Sequence, residues 1–259
     1  MNRKCVRLLK KKAVRSMVTA LSVWTRLPVP QLAWKPENLS RSLCWMPLAG
    51  AVLGVIVIVI ASLTARVYLP DCARGALIAA AYVLVTGGIH LDGFCDVTDA
   101  LAACRDREER MRILKDPRLG AFAVIGLVCM LVFMAGVMGG LNQKGLYVCA
   151  IGFVLSRCFA AAALLRLPLM RDEGMAAAFQ KTADTRYVRR CLIVIAVLCY
   201  AALAYISIPE AALCLLLSAG ILKGFRRMTE KEFGGINGDT LGWLITVSEA
   251  VFAAAGLCL

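Results

Sequence analysis

The chain has 259 residues, of which 60% are hydrophobic, and its mean hydropathy is +0.74. These values exclude an ordinary soluble globular domain and are typical of a membrane protein with several spans. Thirty lysines and arginines against 17 acidic residues give a net charge of +13, which we attribute to membrane topology and attraction to anionic lipid, not to nucleic-acid binding.

The first 41 residues form a basic segment, and no cleavable signal peptide is predicted in it. Apolar residues recur at helical spacing from Val14 to Trp24, which predicts a helix over residues 10–25 that lies along the membrane surface. We predict that residues 1–259 form one membrane-embedded catalytic domain, with this segment on its cytoplasmic side.

Seven apolar stretches are candidates for membrane spans, because a crossing helix needs about 20 residues. They cover residues 47–65, 75–91, 119–141, 146–165, 191–208, 211–222 and 240–259. The sixth stretch is short, and the Pro209-Glu210 pair before it leaves its boundary open. The sequence therefore predicts an all-α fold, a polytopic helical bundle with about seven transmembrane helices.

The basic residues indicate how the chain is oriented in the membrane. Ten precede the first span, and six, six and four lie in residues 92–118, 166–190 and 223–239, whereas the alternate connections hold two, one and none. The positive-inside rule then predicts a cytoplasmic N-terminus. The same three basic segments carry 13 of the 17 acidic residues, so we expect the functional site on the cytoplasmic face.

Three carboxylates, Asp92, Asp96 and Asp99, follow the second span at positions i, i+4 and i+7, which places them on one helix face. We interpret the span as one helix that runs through them, so that they lie at its C-terminal end and oppose the helix dipole. A divalent cation would relieve their repulsion, and Mg²⁺ prefers such oxygen ligands. All three are predicted as metal ligands and catalytic residues; the alternative is ordinary polar capping.

The string KDPRLGAF opens the third span. Asp116 is predicted to cap that helix, with Pro117 in its first position. Lys115 and Arg118 flank the helix N-terminus, where cations attract phosphate, and Gly120 allows another group to approach closely. Lys115, Asp116, Arg118 and Gly120 are therefore candidate substrate-binding residues, against the alternative of an ordinary capped membrane helix.

The string FGGINGDTLGW opens the seventh span. Gly234, Gly235 and Gly238 allow backbone N–H groups to converge on an anion, while Asp239 or Thr240 can cap the helix. A glycine-rich turn is a weak signal by itself, but the predicted orientation brings this one to the same face as the three aspartates. The three glycines are candidate substrate-binding residues, and Asp239 is a candidate catalytic residue.

Two charged residues, Arg157 and Glu249, interrupt predicted spans. Charges within a membrane usually face a polar cavity or each other, so Arg157 either binds a substrate phosphate or pairs with Glu249. We keep Arg157 as a candidate substrate-binding residue with both alternatives open. Two Gly-x-x-x-Gly pairs, at residues 50–54 and 136–140, predict close helix packing.

These strings together resemble one family, the adenosylcobinamide-GDP ribazoletransferases, also called cobalamin (5′-phosphate) synthases. The similar strings are WTRLPVP (24–30), GGIHLDGFCDVTDAL (87–101), KDPRLGAF (115–122), RDEGMAAAF (171–179) and GGINGDTLG (234–242). Their order along nearly the whole chain is more specific than any one of them. The departures are modest, since Cys95, Ala100 and Pro117 replace the family's usual Ala, Gly and Ser, and no carboxylate is lost.

The resemblance implies a Mg²⁺-dependent transferase of late vitamin B12 biosynthesis in the cytoplasmic (inner) membrane of a bacterium or archaeon. Such enzymes join adenosylcobinamide-GDP to α-ribazole or its 5′-phosphate, giving adenosylcobalamin or its phosphate and GMP. The implied partners are these small-molecule substrates and the lipid bilayer. Arg171, in the string RDEGMAAAF, joins the candidate substrate-binding residues on this ground.

In the mechanism that this suggests, the aspartates hold Mg²⁺ against the diphosphate of the GDP-activated corrinoid. A ribose hydroxyl of α-ribazole attacks the phosphorus next to cobinamide, and the metal supplies charge stabilisation and alignment. One carboxylate accepts the hydroxyl proton, and Asp99 and Asp239 are the candidates.

Two other functions are compatible with parts of the pattern. CDP-alcohol phosphatidyltransferases also bind metal and a nucleotide diphosphate with aspartates at membrane-helix ends, but their typical spacing, D-x₂-D-G-x₂-A-R, is missing here. A transporter could use Arg157 and Glu249 along its path. The carboxylates, however, cluster at one end of the spans and not at the midplane, where transport sites usually lie.

Overall fold

The structure is a computed structural model that describes residues 3–33, 35–67, 69–103 and 106–259, with side chains described from residue 12 onward. Across these ranges the regular secondary structure is helical, and the strand-like pairing is an isolated bridge between Leu169 and Ile236. The predicted all-α fold is confirmed. That residues 1–259 form one domain stays a prediction.

The helices, in chain order, are α1 (Arg3–Trp24), α2 (Pro36–Leu39), α3 (Met46–Arg66), α4 (Asp71–Thr86), α5 (Ile89–Ala102), α6 (Arg107–Ile113), α7 (Ala121–Gly140), α8 (Gln143–Arg166), α9 (Met175–Thr182), α10 (Thr185–Ile206), α11 (Ile208–Met228) and α12 (Gly238–Ala255). In the described part of the chain, six helices are long and apolar enough to cross a membrane, and the bent pair α4–α5 gives a seventh if it is one span. The predicted set of about seven spans is confirmed.

Helices α8 and α12 form the centre of the bundle. In their most apolar stretches, 72% and 67% of the residues are buried, against 11% in α10 and 22% in α7 and α11. The outer helices therefore expose apolar side chains to lipid, whereas α8 and α12 bury theirs against other helices. This central position explains why polar side chains on α8 and α12 are enclosed by protein.

The predicted glycine packing is half right. Gly50 and Gly54 on α3 lie against the backbone of α8, where a Cβ would meet atoms of Phe153 and Ala150, as small-residue packing predicts. Gly136 on α7 has open space around it, so its predicted role is wrong. The glycine that packs α7 closely against α4 is Gly139, since the neighbouring helix approaches that side of α7.

The second predicted span is broken, and this is the main correction to the sequence analysis. Gly87 and Gly88 both adopt positive φ, 64° and 72°, which ends α4 in the left-handed conformation that glycine tolerates best. Helix α5 then leaves at 96° to α4. Asp92 consequently lies in the first turn of α5 and not at the C-terminal end of a long helix. The positive end of the α5 dipole therefore stabilises its negative charge.

The helix predicted over residues 10–25 is confirmed as the C-terminal part of α1. Ser16, Thr19, Ala20 and Trp24 are buried, and this side of α1 packs against the segment 42–45 and α3. The helix therefore has one face on the bundle. Its place along the membrane surface stays a prediction.

Candidate active site

Four carboxylates come together where α5 meets the start of α12. Asp96 is repelled by the charges of Asp239, Asp92 and Asp99, and Asp239 is also repelled by Asp92. Asp92 is exposed, and the other three are half-buried. The structure thus brings Asp239, predicted separately as a catalytic residue, to the three aspartates of α5. Such a density of negative charge calls for a cation.

The absence of a side chain at Gly93 makes this meeting possible. A Cβ at Gly93 would lie 2.6 Å from the carbonyl oxygen of Asp239 and 2.7 Å from its Cα, so α5 and α12 are in backbone contact there. Gly93 follows Asp92 directly and precedes Asp96 by three residues. The close contact therefore sets the separation between Asp239 and the two aspartates on either side of Gly93.

Asp99 also contacts the start of α7. Its Oδ1 accepts a hydrogen bond from the backbone N–H of Ala123 at 3.3 Å, and its carboxylate lies where a side chain at Gly120 would stand. Asp99 therefore satisfies a free N–H in the first turn of α7. Gly120, predicted to allow close approach of another group, does so for Asp99.

The predicted cap of α7 is wrong. The helix begins at Ala121, with Gly120 in the capping position, and not at Pro117. Asp116 instead accepts hydrogen bonds from the backbone and the guanidinium of Arg118, the closest at 2.7 Å, and these lower the pKa of Asp116 to about 2. Arg118, whose side chain is 87% exposed, is thus engaged with its neighbour on the surface and lies outside the carboxylate cluster.

A cavity of about 510 Å³, which we call the cationic cavity, opens beside Asp239. Lys115 and Arg171 contribute positive charges to it, Glu173 a negative charge, and Asn237 and Gly238 polar groups; the remaining lining residues are Met111, Leu114, Met170, Gly174, Met175, Ala176 and Ile236. Arg171 attracts the Asp239 carboxylate. Within the described ranges neither Lys115 nor Arg171 has an ion-pair partner, so both cations are available to an anionic ligand.

The glycine-rich turn is held in place by its own backbone. Ile236 donates its N–H to the Pro168 carbonyl at 2.8 Å and accepts from the Met170 N–H at 2.9 Å. Gly235 packs on this segment, and Gly234, with φ 73°, lies against the guanidinium of Arg107. Gly234 and Gly235 therefore shape the turn, and of the three candidate glycines only Gly238 lines the cavity.

Asn237 lies at the candidate site but was not predicted as a site residue from the sequence. Its side chain accepts from the Thr240 N–H at 2.9 Å, while the Thr240 hydroxyl accepts from the Asn237 N–H, which forms a capping box. The prediction that Asp239 or Thr240 caps the helix is thus wrong about the capping residue, which is Asn237, although Thr240 takes part in the capping box. Asn237 also donates to Asp239 at 2.6 Å and orients that carboxylate. The sequence signal for this cap is an Asn followed three residues later by a Thr, just before an apolar run.

Arg157 lies in the interior of the bundle and outside the site. Its guanidinium pairs with Glu249, and donates to the Phe153 carbonyl and the Ser156 hydroxyl at 3.1 and 3.0 Å. Tyr82 donates to the second oxygen of Glu249 at 2.7 Å. Arg157 and Glu249 are 1% and 0% exposed. Of the two alternatives, the pairing with Glu249 is the one that the structure shows.

The donor set suits a hard cation, but it does not enclose one by itself. Among the side chains that the structure describes, no three His, Cys, Asp or Glu residues are grouped closely enough to hold a metal ion. Mg²⁺ is usually bound by one or two carboxylates together with waters and substrate phosphates. Asp92 and Asp96, with Asp239 opposite them, therefore fit a metal that is shared with a phosphorylated substrate.

The fold and the site define a polytopic helical membrane protein with an acidic cluster beside a cationic cavity. A profile of the cobalamin-5-phosphate synthase family matches residues 16–257. The chain belongs to this family. No solved structure matches it significantly.

Curated relatives agree with the family match along almost the whole chain. The adenosylcobinamide-GDP ribazoletransferase of Lachnoclostridium phytofermentans is 29% identical over 94% of both chains. The proteins of the same name from Chlorobium phaeobacteroides and Chlorobaculum tepidum are 32% and 34% identical, and the matches cover 95% and 93% of this chain and 98% and 93% of theirs. These matches do not favour the phosphatidyltransferase or transporter alternatives.

Proposed function

We propose that this membrane protein joins adenosylcobinamide-GDP to α-ribazole or its 5′-phosphate and releases GMP. Its relatives are named adenosylcobinamide-GDP ribazoletransferases, which supports the proposal. The observation that carries the proposal is the meeting of Asp92, Asp96 and Asp239 beside Lys115 and Arg171, two cations without an ion-pair partner among the described residues. A diphosphate needs positive charge on its oxygens and oxygen ligands for its metal, and this arrangement offers both.

Asp92 and Asp96 would hold Mg²⁺, with Asp99 or Asp239 as a further ligand. When bound, the metal would neutralise phosphate charge and align the diphosphate. Asp99 is the weaker of these two candidates, because its carboxylate already accepts the N–H of Ala123. The fit rests on oxygen donors gathered on one face of α5 and the start of α12.

The side chains of the cationic cavity have separate roles in the proposal. Lys115 and Arg171 bind the phosphate oxygens of the leaving GMP, and the backbone at Gly238 allows close approach. A ribose hydroxyl forms a new bond to the phosphorus next to cobinamide, while the bond from that phosphorus to the GMP oxygen breaks and GMP keeps the electron pair. The hydroxyl proton passes to Asp99 or Asp239, whichever of the two does not hold the metal, and Asn237 orients Asp239.

The orientation of the site follows from charge. One side of the bundle carries the basic segments. This side also holds the α4–α5 bend, the ends of α8 and α11, and the starts of α7, α10 and α12. The positive-inside rule supports placing this side in the cytoplasm and the protein in the inner membrane. Both substrates would then reach the site from the cytoplasm.

The direct test is to incubate the purified protein with adenosylcobinamide-GDP, α-ribazole 5′-phosphate and Mg²⁺, and to separate the nucleotides by chromatography. We expect stoichiometric GMP and adenosylcobalamin 5′-phosphate, and no product after chelation of the metal. Formation of CMP from a CDP-alcohol without GMP would support the phosphatidyltransferase alternative. Solute flux in proteoliposomes without GMP would support a transporter.

Gly93→Ala is expected to lower turnover by about 10²-fold, because the new methyl group meets backbone atoms of Asp239 and must push α12 away from α5. The measurement is the rate of GMP release at saturating substrates. Gly136→Ala is the matched control, since a Cβ there meets nothing within 4 Å. Unchanged turnover in Gly93→Ala would show that the close approach of Asp239 is not required.

A further inference from the structure

A second cavity borders the carboxylate cluster at Asp92. It has a volume of about 560 Å³ and is formed by the end of α1, the α4–α5 bend and the start of α7. Arg26 and Asp92 supply charged groups to it, and hydroxyl groups come from Ser22, Thr25 and Thr86. Its apolar lining comes from Val23, Ile89, Leu91, Leu119 and Leu127. Its size is within the range of small-molecule sites.

Arg26 reaches this cavity because the chain after α1 is tied to α4. The Arg26 N–H donates to the Val85 carbonyl at 3.0 Å, and the stem of its side chain lies against Gly87. A side chain at position 87 would occupy the place of the Arg26 stem, so the glycine break also makes room for this arginine. Arg26 is exposed and has no carboxylate partner among the described residues.

The two cavities share no lining residue, and the acidic cluster stands between them. Asp92 lines the second cavity, Asp239 lines the cationic cavity, and the two carboxylates repel each other across the gap. A phosphoryl transfer needs its nucleophile and its leaving group on opposite sides of the phosphorus. Two cavities with no shared lining residue give the two substrates separate places beside one carboxylate cluster.

We propose that the second cavity binds the nucleoside substrate in its phosphorylated form, with Arg26 contacting the 5′-phosphate. This inference rests on the proposed function and deepens it. One unpaired arginine suits a monophosphate, whereas Lys115 and Arg171 suit the diphosphate in the other cavity. The apolar side chains of the second cavity suit the flat aromatic base, and Asp92 lies where the ribose hydroxyls would approach the metal.

The test compares α-ribazole 5′-phosphate with unphosphorylated α-ribazole as substrates of the wild type, Arg26→Gln and Arg26→Lys. Each kcat/KM is measured at saturating adenosylcobinamide-GDP and Mg²⁺. Gln retains most of the stem against Gly87 but loses the charge, so we expect the ratio of the two kcat/KM values to fall about ten-fold or more. Lys retains the positive charge but cannot form the bidentate contact that arginine makes with a phosphate, so Arg26→Lys should give an intermediate ratio.

Arg226→Ala is the matched control, since Arg226 is exposed and paired with Glu230 on another surface, and its ratio should equal that of the wild type. Equal losses with both nucleosides in Arg26→Gln would overturn the inference and indicate a structural role or a lipid phosphate contact. A raised KM for adenosylcobinamide-GDP with an unchanged ratio would also overturn it. A wild type that makes no GMP from either nucleoside would instead overturn the proposed function and the inference together.

Discussion

Asp96→Asn is expected to lower GMP release by at least about a hundred-fold, and Asp92→Asn to do the same. Changes to groups that merely support a metal ligand cost about ten- to a hundred-fold, so the loss of a direct ligand should cost no less. Asparagine has the size of aspartate, and the half-buried position of Asp96 among three other carboxylates makes loss of its charge tolerable for folding. The measurement is a single-turnover assay over a range of Mg²⁺ concentrations.

The control for this pair is Asp71→Asn. Asp71 is 74% exposed at the start of α4, at the opposite end of that helix from the glycine break, and should leave turnover unchanged. If the Asp92 and Asp96 variants insert into the membrane, bind Mg²⁺ as the wild type does and turn over nearly normally, the aspartates of α5 do not hold the metal.

Glu249→Ala is expected to have the largest effect on stability. It would leave the Arg157 guanidinium fully buried without its carboxylate, and breaking a buried ion pair from one side costs about 3–5 kcal/mol. Tyr82 would lose its hydrogen-bond acceptor as well. The measurement is the free energy of unfolding, or the shift in melting temperature, of the purified protein in detergent.

Two further variants distinguish the loss of the Arg157–Glu249 ion pair from a general loss of stability. Glu230→Ala removes an exposed partner of Arg226 and should cost no more than about 1 kcal/mol. The double variant Arg157→Met with Glu249→Met removes both charges together and should recover most of the stability lost in Glu249→Ala. A double variant as unstable as Glu249→Ala would show that the pair has a role beyond mutual neutralisation.

The membrane helices could be predicted because their signal is local. A run of about 20 apolar residues must be helical in lipid, since all its backbone groups have to be satisfied within the segment. Four of the seven predicted spans agree with helices to within about five residues. The exceptions are residues 75–91, which cross the break between α4 and α5, residues 191–208, where α10 begins earlier at Thr185, and residues 211–222, where α11 runs on to Met228. The apolar stretch ends at the first charged residue, Lys223, whereas α11 continues beyond it to Met228.

The site could be predicted only in part, because its geometry depends on contacts between distant segments. The spacing of Asp92, Asp96 and Asp99 indicated one helix face, but not that Asp99 would be drawn to the N-terminus of α7. The pair Gly87-Gly88 offered a break, yet nothing in the sequence required positive φ at both residues. The pairing of Arg157 with Glu249 was one of two open alternatives until α8 and α12 were seen side by side.

The glycine break has a consequence for the depth at which the reaction takes place. The 16 residues of α4 rise about 24 Å, which is less than the roughly 30 Å thickness of the hydrocarbon layer. A crossing by α4 alone therefore leaves its turning point below the lipid headgroups or thins the bilayer around it. The aspartates that follow the turn would then lie at the boundary between water and acyl chains. A corrinoid bound there would contact lipid with its apolar side while its phosphates remain hydrated.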